Sequence, residues 1–134
     1  MLDAFLVPEK TVVTAKGDSQ PLDITAAASR VFLLTLSITS IVEQESIEVG
    51  IFASPDGSTW EAKPAATLPT KFYPGDYPLL VDLSSVPEAK FVRAHWEIVR
   101  WGRGLKEPSF EIAVRLREIS SEALREAQAE AQTR

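Results

Sequence analysis

The residues with the most chemistry to offer lie in the run Arg100-Trp101-Gly102-Arg103-Gly104. Two arginines flank a tryptophan, and two glycines let the backbone approach another surface closely. The tryptophan offers a stacking face and each arginine a planar fork of donors. Such a loop suits an anion, a sugar ring or an acidic surface on a partner. A tight hairpin, with Arg100 or Arg103 stacked on Trp101 and paired to Glu107, accounts for the same residues structurally. Tyr73 and Tyr77, in a stretch rich in proline and aromatics, are two more stacking residues. The candidate contacts for a ligand or partner are therefore Arg100, Trp101, Arg103, Tyr73 and Tyr77.

Acid–base and metal chemistry find less support. His95 is the only histidine, and it sits in an alternating segment with no base–nucleophile partner beside it in the sequence. There is no G-x-S-x-G, no phosphate loop and no paired-carboxylate spacing. Cysteine is absent, which removes disulfides and thiolate metal sites. Asp23 and Asp56 stand at strand ends or turns, and Asp76 and Asp82 flank apolar strand residues, positions from which loops can hold calcium. Read as turn residues, they need no ion. The expectation is a protein with no catalytic residues, no cofactor and no metal set.

The elements that must position these residues are strands. In residues 47–54, Ile47, Val49, Ile51 and Ala53 alternate with Glu48, Gly50, Phe52 and Ser54, a period of two with one face towards a core. Pro55-Asp56-Gly57 reverses the chain, with glycine in the left-handed position. The return strand is expected to begin at Thr59 and Trp60, with Trp60 folded over the hairpin. Residues 30–39 put Phe32, Leu34, Leu36 and Ile38 on one face and Val31, Leu33, Thr35 and Ser37 on the other, as in a central, partly covered strand. Val92, Ala94, Trp96 and Ile98 alternate likewise, as do Phe110, Ile112, Val114 and Leu116, with Arg115 and Arg117 outward. Residues 16–19 read as a turn, and residues 63–77, with their prolines, as a long surface loop or an edge segment. The fold class is all-β, an antiparallel, jelly-roll-like β-sandwich over residues 11–118. Residues 1–10 read as an apolar arm that adds as an edge strand to its own sheet or to a neighbour's. Residues 119–134 read as a tail with a short C-terminal helix, too thinly apolar to be stable alone.

Ser54, Asp56, Gly57 and Trp60 form an S-x-D-G-x-x-W hairpin. It resembles that of discoidin-type (F5/8 type C) jelly rolls and of small β-sandwich proteins from tailed-phage virions. The single-copy motif is also similar to the Asp-box of sialidase propellers, where it repeats. Residues 89–96, AKFVRAHW, resemble a late strand of the same sandwiches, and residues 11–24 resemble their threonine-rich opening. The resemblance implies a β-sandwich whose serine, aspartate and tryptophan hold the turn rather than a ligand.

Composition sets the outer limits. The chain has 134 residues, 45% hydrophobic and 25% charged, enough for one domain with a real core. No run approaches the roughly 18 apolar residues of a membrane-spanning helix. The first residues lack a basic region and a small-residue cleavage site. The expected location is thus cytoplasmic or virion-associated, with no membrane partner. Residues 1–89 carry 5 basic and 12 acidic side chains, whereas residues 90–117 carry 7 and 3. Such asymmetry can guide association between copies, although cross-strand pairing within one sheet also uses it. The basic excess is too local to favour nucleic acid. The leading expectation is a non-enzymatic structural or adaptor subunit, virion or virion-like, that forms a homo-oligomer or binds another protein subunit. The alternative is a carbohydrate-binding module that stacks a glycan on Trp101, Tyr73 and Tyr77.

Overall fold

The computed structural model describes residues 2–41, 45–71, 73–100 and 109–119, with Glu45 and Arg100 described through their backbone. Nine strands follow in order: β1 (Asp3–Val13), β2 (Gly17–Asp18), β3 (Leu22–Asp23), β4 (Val31–Ile41), β5 (Glu45–Ser54), β6 (Ala66–Lys71), β7 (Gly75–Asp82), β8 (Phe91–Arg100) and β9 (Phe110–Glu118). All pairings are antiparallel, and the described residues contain no helix. One sheet has the order β1-β9-β4-β7 and the other β2-β8-β5-β6, with β3 also on β8. The described residues are therefore all-β, in two antiparallel sheets arranged like a sandwich. The C-terminal helix expected over residues 119–134 lies outside the described residues from position 120 onward.

The period-two pattern explains the layers. Phe32, Leu34, Leu36 and Ile38 of β4 are buried, while Val31, Leu33, Thr35 and Ser37 on its other side are partly exposed. Val49 and Ile51 of β5, Trp96 of β8, and Phe110, Ile112 and Val114 of β9 join the first three of these in one hydrophobic cluster. The inner faces of both sheets thus share a single core, the arrangement expected from the alternation alone. Trp96 fills part of it and donates its indole N–H to the Ala15 carbonyl at 3.0 Å. That bond satisfies the one polar atom of a large apolar ring.

Several segments depart from the sequence reading. Residues 16–19 are not only a turn: Gly17 and Asp18 form β2, paired with Trp96 and His95. A Cβ on Gly17 would lie 3.0 Å from the Trp96 ring, so the missing side chain is what lets the strand lie flat against it. The return from the β5 hairpin starts at Ala66 rather than Thr59. Asp56 accepts bonds from the Ser58 and Thr59 N–H groups, which prolongs the turn. Trp60 lies against the outward side of β8, where the Arg93 guanidinium stacks over its ring at 4.3 Å. Of the two readings of residues 63–77, the loop gives way to the edge segment: they contain β6 and the start of β7. Pro69 and Pro78 are accommodated because β6 and β7 are both sheet edges, where a missing N–H costs no ladder bond. Residues 24–27 form a turn, with the Ala27 N–H bonded to the Ile24 carbonyl at 3.1 Å. The apolar start of the chain takes the own-sheet alternative, since β1 pairs with β9 from Asp3↔Arg117 to Val13↔Phe110.

Glu118 ties one end of the first sheet together. It is 7% exposed, and its carboxylate accepts from the Leu2 N–H at 3.0 Å and the Ser29 N–H at 2.8 Å. Those two bonds hold its carboxyl below the usual range despite some desolvation.

Two substitutions test this register. Trp96→Ala removes a ring from the shared core and should cost on the order of 3–5 kcal/mol, read from the denaturant midpoint. Gly57, at φ 82°, should lose more than about 1 kcal/mol as Gly57→Val, because a β-branched residue resists that region.

Candidate functional site

The two sheets treat their outer faces differently. Part of the outer face of the β8-β5 sheet is covered by its own chain. Trp60 lies against Arg93, and Pro64 packs over Gly50, where a Cβ would meet it at 3.4 Å. Polar side chains on this face are tied to one another. His95 Nδ1 is 2.8 Å from Asp18 Oδ1, and Nε2 is 2.8 Å from Glu97 Oε1. Phe52 meets the imidazole edge-on at 5.8 Å. Burial pushes the His95 pKa down, but the hydrogen bonds and charges of Glu97 and Asp18 outweigh it and raise the value above the ordinary one. Both ring nitrogens are engaged, so His95 pins β2 to β8.

The aspartates singled out as calcium candidates are largely spent on turns. Asp23 accepts from the Thr25 N–H and hydroxyl, and Asp82 from those of Ser84. Asp56 is lowered to about 2, chiefly by the Thr59 and Ser58 N–H groups. Ser54 Oγ also accepts from the Asp56 and Gly57 N–H groups. Among the described residues no three His, Cys, Asp or Glu side chains are grouped to hold a metal.

The outer face of the β1-β9-β4-β7 sheet is open. The cross-strand register arranges it in rows. Arg117, Leu33 and Leu80 share one level, with Asp3 on β1. Arg115, Thr35 and Pro78 share the next, with Phe5 on β1; then come Ala113, Ser37 and Asp76. Glu111 and Val12 pair at the far end. Together these rows floor a shallow groove of about 560 Å³, whose lining includes Phe5, Thr35, Ser37, Asp76, Glu111 and Arg117.

The groove rim is built from a bulge. Between Val7 and Thr11 the three residues 8–10 of β1 face the single Ala113 of β9, two more than the ladder needs, and Lys10 adopts φ 63°. A left-handed lysine costs on the order of 1–2 kcal/mol. The Thr11 hydroxyl bonds the Pro8 carbonyl at 2.6 Å and holds the bulge closed. Arg115 is paired with Asp3, Nε to Oδ1 at 2.8 Å, and the Arg115 hydrogen bonds are the main reason the Asp3 carboxyl lies below its ordinary value. Arg117, Glu111 and Asp76 have no ion pair among the described residues, and the Thr35 and Ser37 hydroxyls have no hydrogen bond there. Three of the five exposed large hydrophobic side chains among the described residues, Phe5, Val12 and Leu80, are on this face.

The residues favoured by the sequence lie elsewhere. Tyr77 faces inward opposite Leu36, donates its hydroxyl to the Tyr73 carbonyl at 2.7 Å, and carries Lys71 over its ring at 4.7 Å. Tyr73 is well exposed at the corner between β6 and β7. The hydrogen bond joins the two tyrosines, but Tyr77 does not present a bare ring. The Arg100 backbone pairs with Glu45 at the end of β8. The Arg100 side chain, Trp101 and Arg103 lie outside the described residues. The open face was missed because its residues come from four strands distant in sequence. The outward Arg115 and Arg117 and the hydroxylic side of β4 were its only legible signals.

No family model matches this chain, and comparison with curated proteins and with solved structures finds no match. No helix among the described residues is long and apolar enough to cross a membrane.

The His95 clamp sets a pH dependence. A raised folded pKa contributes stability that is fully present below the unfolded value near 6.5 and is lost as pH rises through the folded value. Thermal melts should therefore fall between slightly acid and alkaline pH by more in the parent chain than in His95→Gln. Parallel curves for the two proteins would contradict the clamp.

Proposed function

We propose that this chain is a non-enzymatic β-sandwich, connected as a jelly roll, that serves as a structural or adaptor subunit and self-associates. The strand orders β1-β9-β4-β7 and β2-β8-β5-β6 support the jelly-roll connection, because the chain moves to the other sheet after β1, β3, β4, β6, β7 and β8. The virion or virion-like setting rests on the resemblance of the Ser54-to-Trp60 hairpin.

One observation carries the binding role. Among the described residues all four sheet edges are blunted, and one sheet face has no loop over it. β1 has Pro8 and a bulge, β7 has Pro78, β6 is short and has Pro69, and the last edge is broken into the two-residue strands β2 and β3. These are the devices that stop strand addition. A partner is therefore met through a face, and the open face carries Phe5, Val12 and Leu80 among charges of which Arg117, Glu111 and Asp76 are in no ion pair among the described residues. Such a mixture is typical of non-obligate interfaces.

A second reading, a carbohydrate-binding module, draws on the same groove. The partnerless Thr35 and Ser37 hydroxyls on its floor suit a polyhydroxyl ligand, and its volume falls within the range of small-ligand sites.

Light scattering across a concentration series separates the two. A mass that rises towards a defined oligomer is the expected result. A chain that stays monomeric and is retained on a polysaccharide column would contradict self-association and favour the glycan.

A further inference from the structure

The open face is self-complementary in charge, and we infer that its occupant is a second copy of this chain, docked face to face with its strands reversed. This rests on the self-association proposed above and names the surface that performs it. Glu111 and Arg117 sit at opposite ends of the outward row of β9, six residues or about 20 Å apart at strand rise. Asp76 lies towards the acidic end and Arg115 towards the basic end. Neither Glu111 nor Arg117 is in an ion pair among the described residues; Asp3 lies opposite Arg117 and feels its charge, but its carboxylate is bound to Arg115. Between the two ends Ser37 and Thr35 keep part of the floor low, while Phe5 and Arg115 stand beside Thr35.

A closed dimer requires a twofold axis in the plane of contact. Rotation about an axis along the strands keeps levels in register, so acidic end meets acidic end. Rotation about an axis across the strands reverses them. β9 of one copy then lies over β9 of the other, and Glu111 faces Arg117 twice. Charge complementarity selects the second arrangement, since like charges brought together across an interface cost several kcal/mol. Four strands spaced about 4.8 Å apart and some seven residues long present on the order of 450 Å² per copy. The total of about 900 Å² is at the low end for a specific interface. Association is accordingly weak and dependent on concentration.

The test is a charge swap read by sedimentation equilibrium from about 1 µM to 1 mM, with circular dichroism confirming each fold. Arg117→Glu alone places Glu opposite Glu111, and Glu111→Arg alone places Arg opposite Arg117. Each should weaken association at least about tenfold. An equimolar mixture of the two variants should restore it as a heterodimer, because both contacts then join opposite charges. Leu80→Asp, at an exposed position on an edge strand, is a second variant that should weaken association without relying on the pair. Should either charge variant fail to fold, Leu80→Asp decides alone. If the parent chain associates and the folded variants associate equally well, this face is not the interface, while self-association stands. If the parent chain is monomeric throughout, both the self-association reading and this interface fail.

Discussion

A two-layer sheet protein has to end its sheets somewhere, and every open edge is a row of unpaired donors and acceptors. That constraint organises this molecule. Proline appears in three of the four edge strands, a strained bulge distorts the first of them, and the fourth is broken in two. The inner strands β4, β5, β8 and β9 contain no proline and pair on both sides. Chemistry that would interrupt a ladder has been moved to where there is no ladder to interrupt. The outer faces are what remain, and among the described residues the β1-β9-β4-β7 face is the one with no loop folded over it.

The difference between the two outer faces comes from the hairpin at Ser54. Its serine and aspartate bond the turn N–H groups, which delays the return strand and leaves residues 58–65 free to fold back over the sheet. Trp60 then stacks with Arg93, and Pro64 closes over Gly50. A motif that resembles the hairpin of other sandwiches thus has a local structural role here. It shields part of one sheet, whereas no loop among the described residues folds over the opposite sheet. His95 belongs to the shielded side, where two carboxylates hold its ring in place.

Much of the fold was legible in the sequence because it is written in a short period. The alternation in β4, β8 and β9 identified the buried faces, and Gly57 was recognisable as a left-handed position from its place in Pro-Asp-Gly. What was not legible depended on partners distant in the chain. Gly17 reads as a turn until Trp96 is seen lying against it, and residues 63–77 read equally as loop or edge until β6 and β7 take their places at sheet edges. The open face is the extreme case. Phe5, Arg117, Leu33 and Leu80 are unremarkable in isolation, and become one surface only through the order β1-β9-β4-β7. Aromatic and arginine content drew attention to Arg100, Trp101, Arg103, Tyr73 and Tyr77, yet Tyr77 turns inward and spends its hydroxyl on the Tyr73 carbonyl. Composition identifies groups able to bind; it does not say which way a strand presents them.

The central claim is that contact is made through one sheet face and not through the edges. Hydroxyl-radical footprinting at protein concentrations below and above association reads this side chain by side chain. Phe5, Val12 and Leu80 should lose reactivity together as concentration rises, while Val99, exposed on the opposite sheet, keeps its reactivity. Protection that appears at Val99 and leaves Phe5 and Leu80 unchanged would contradict the account.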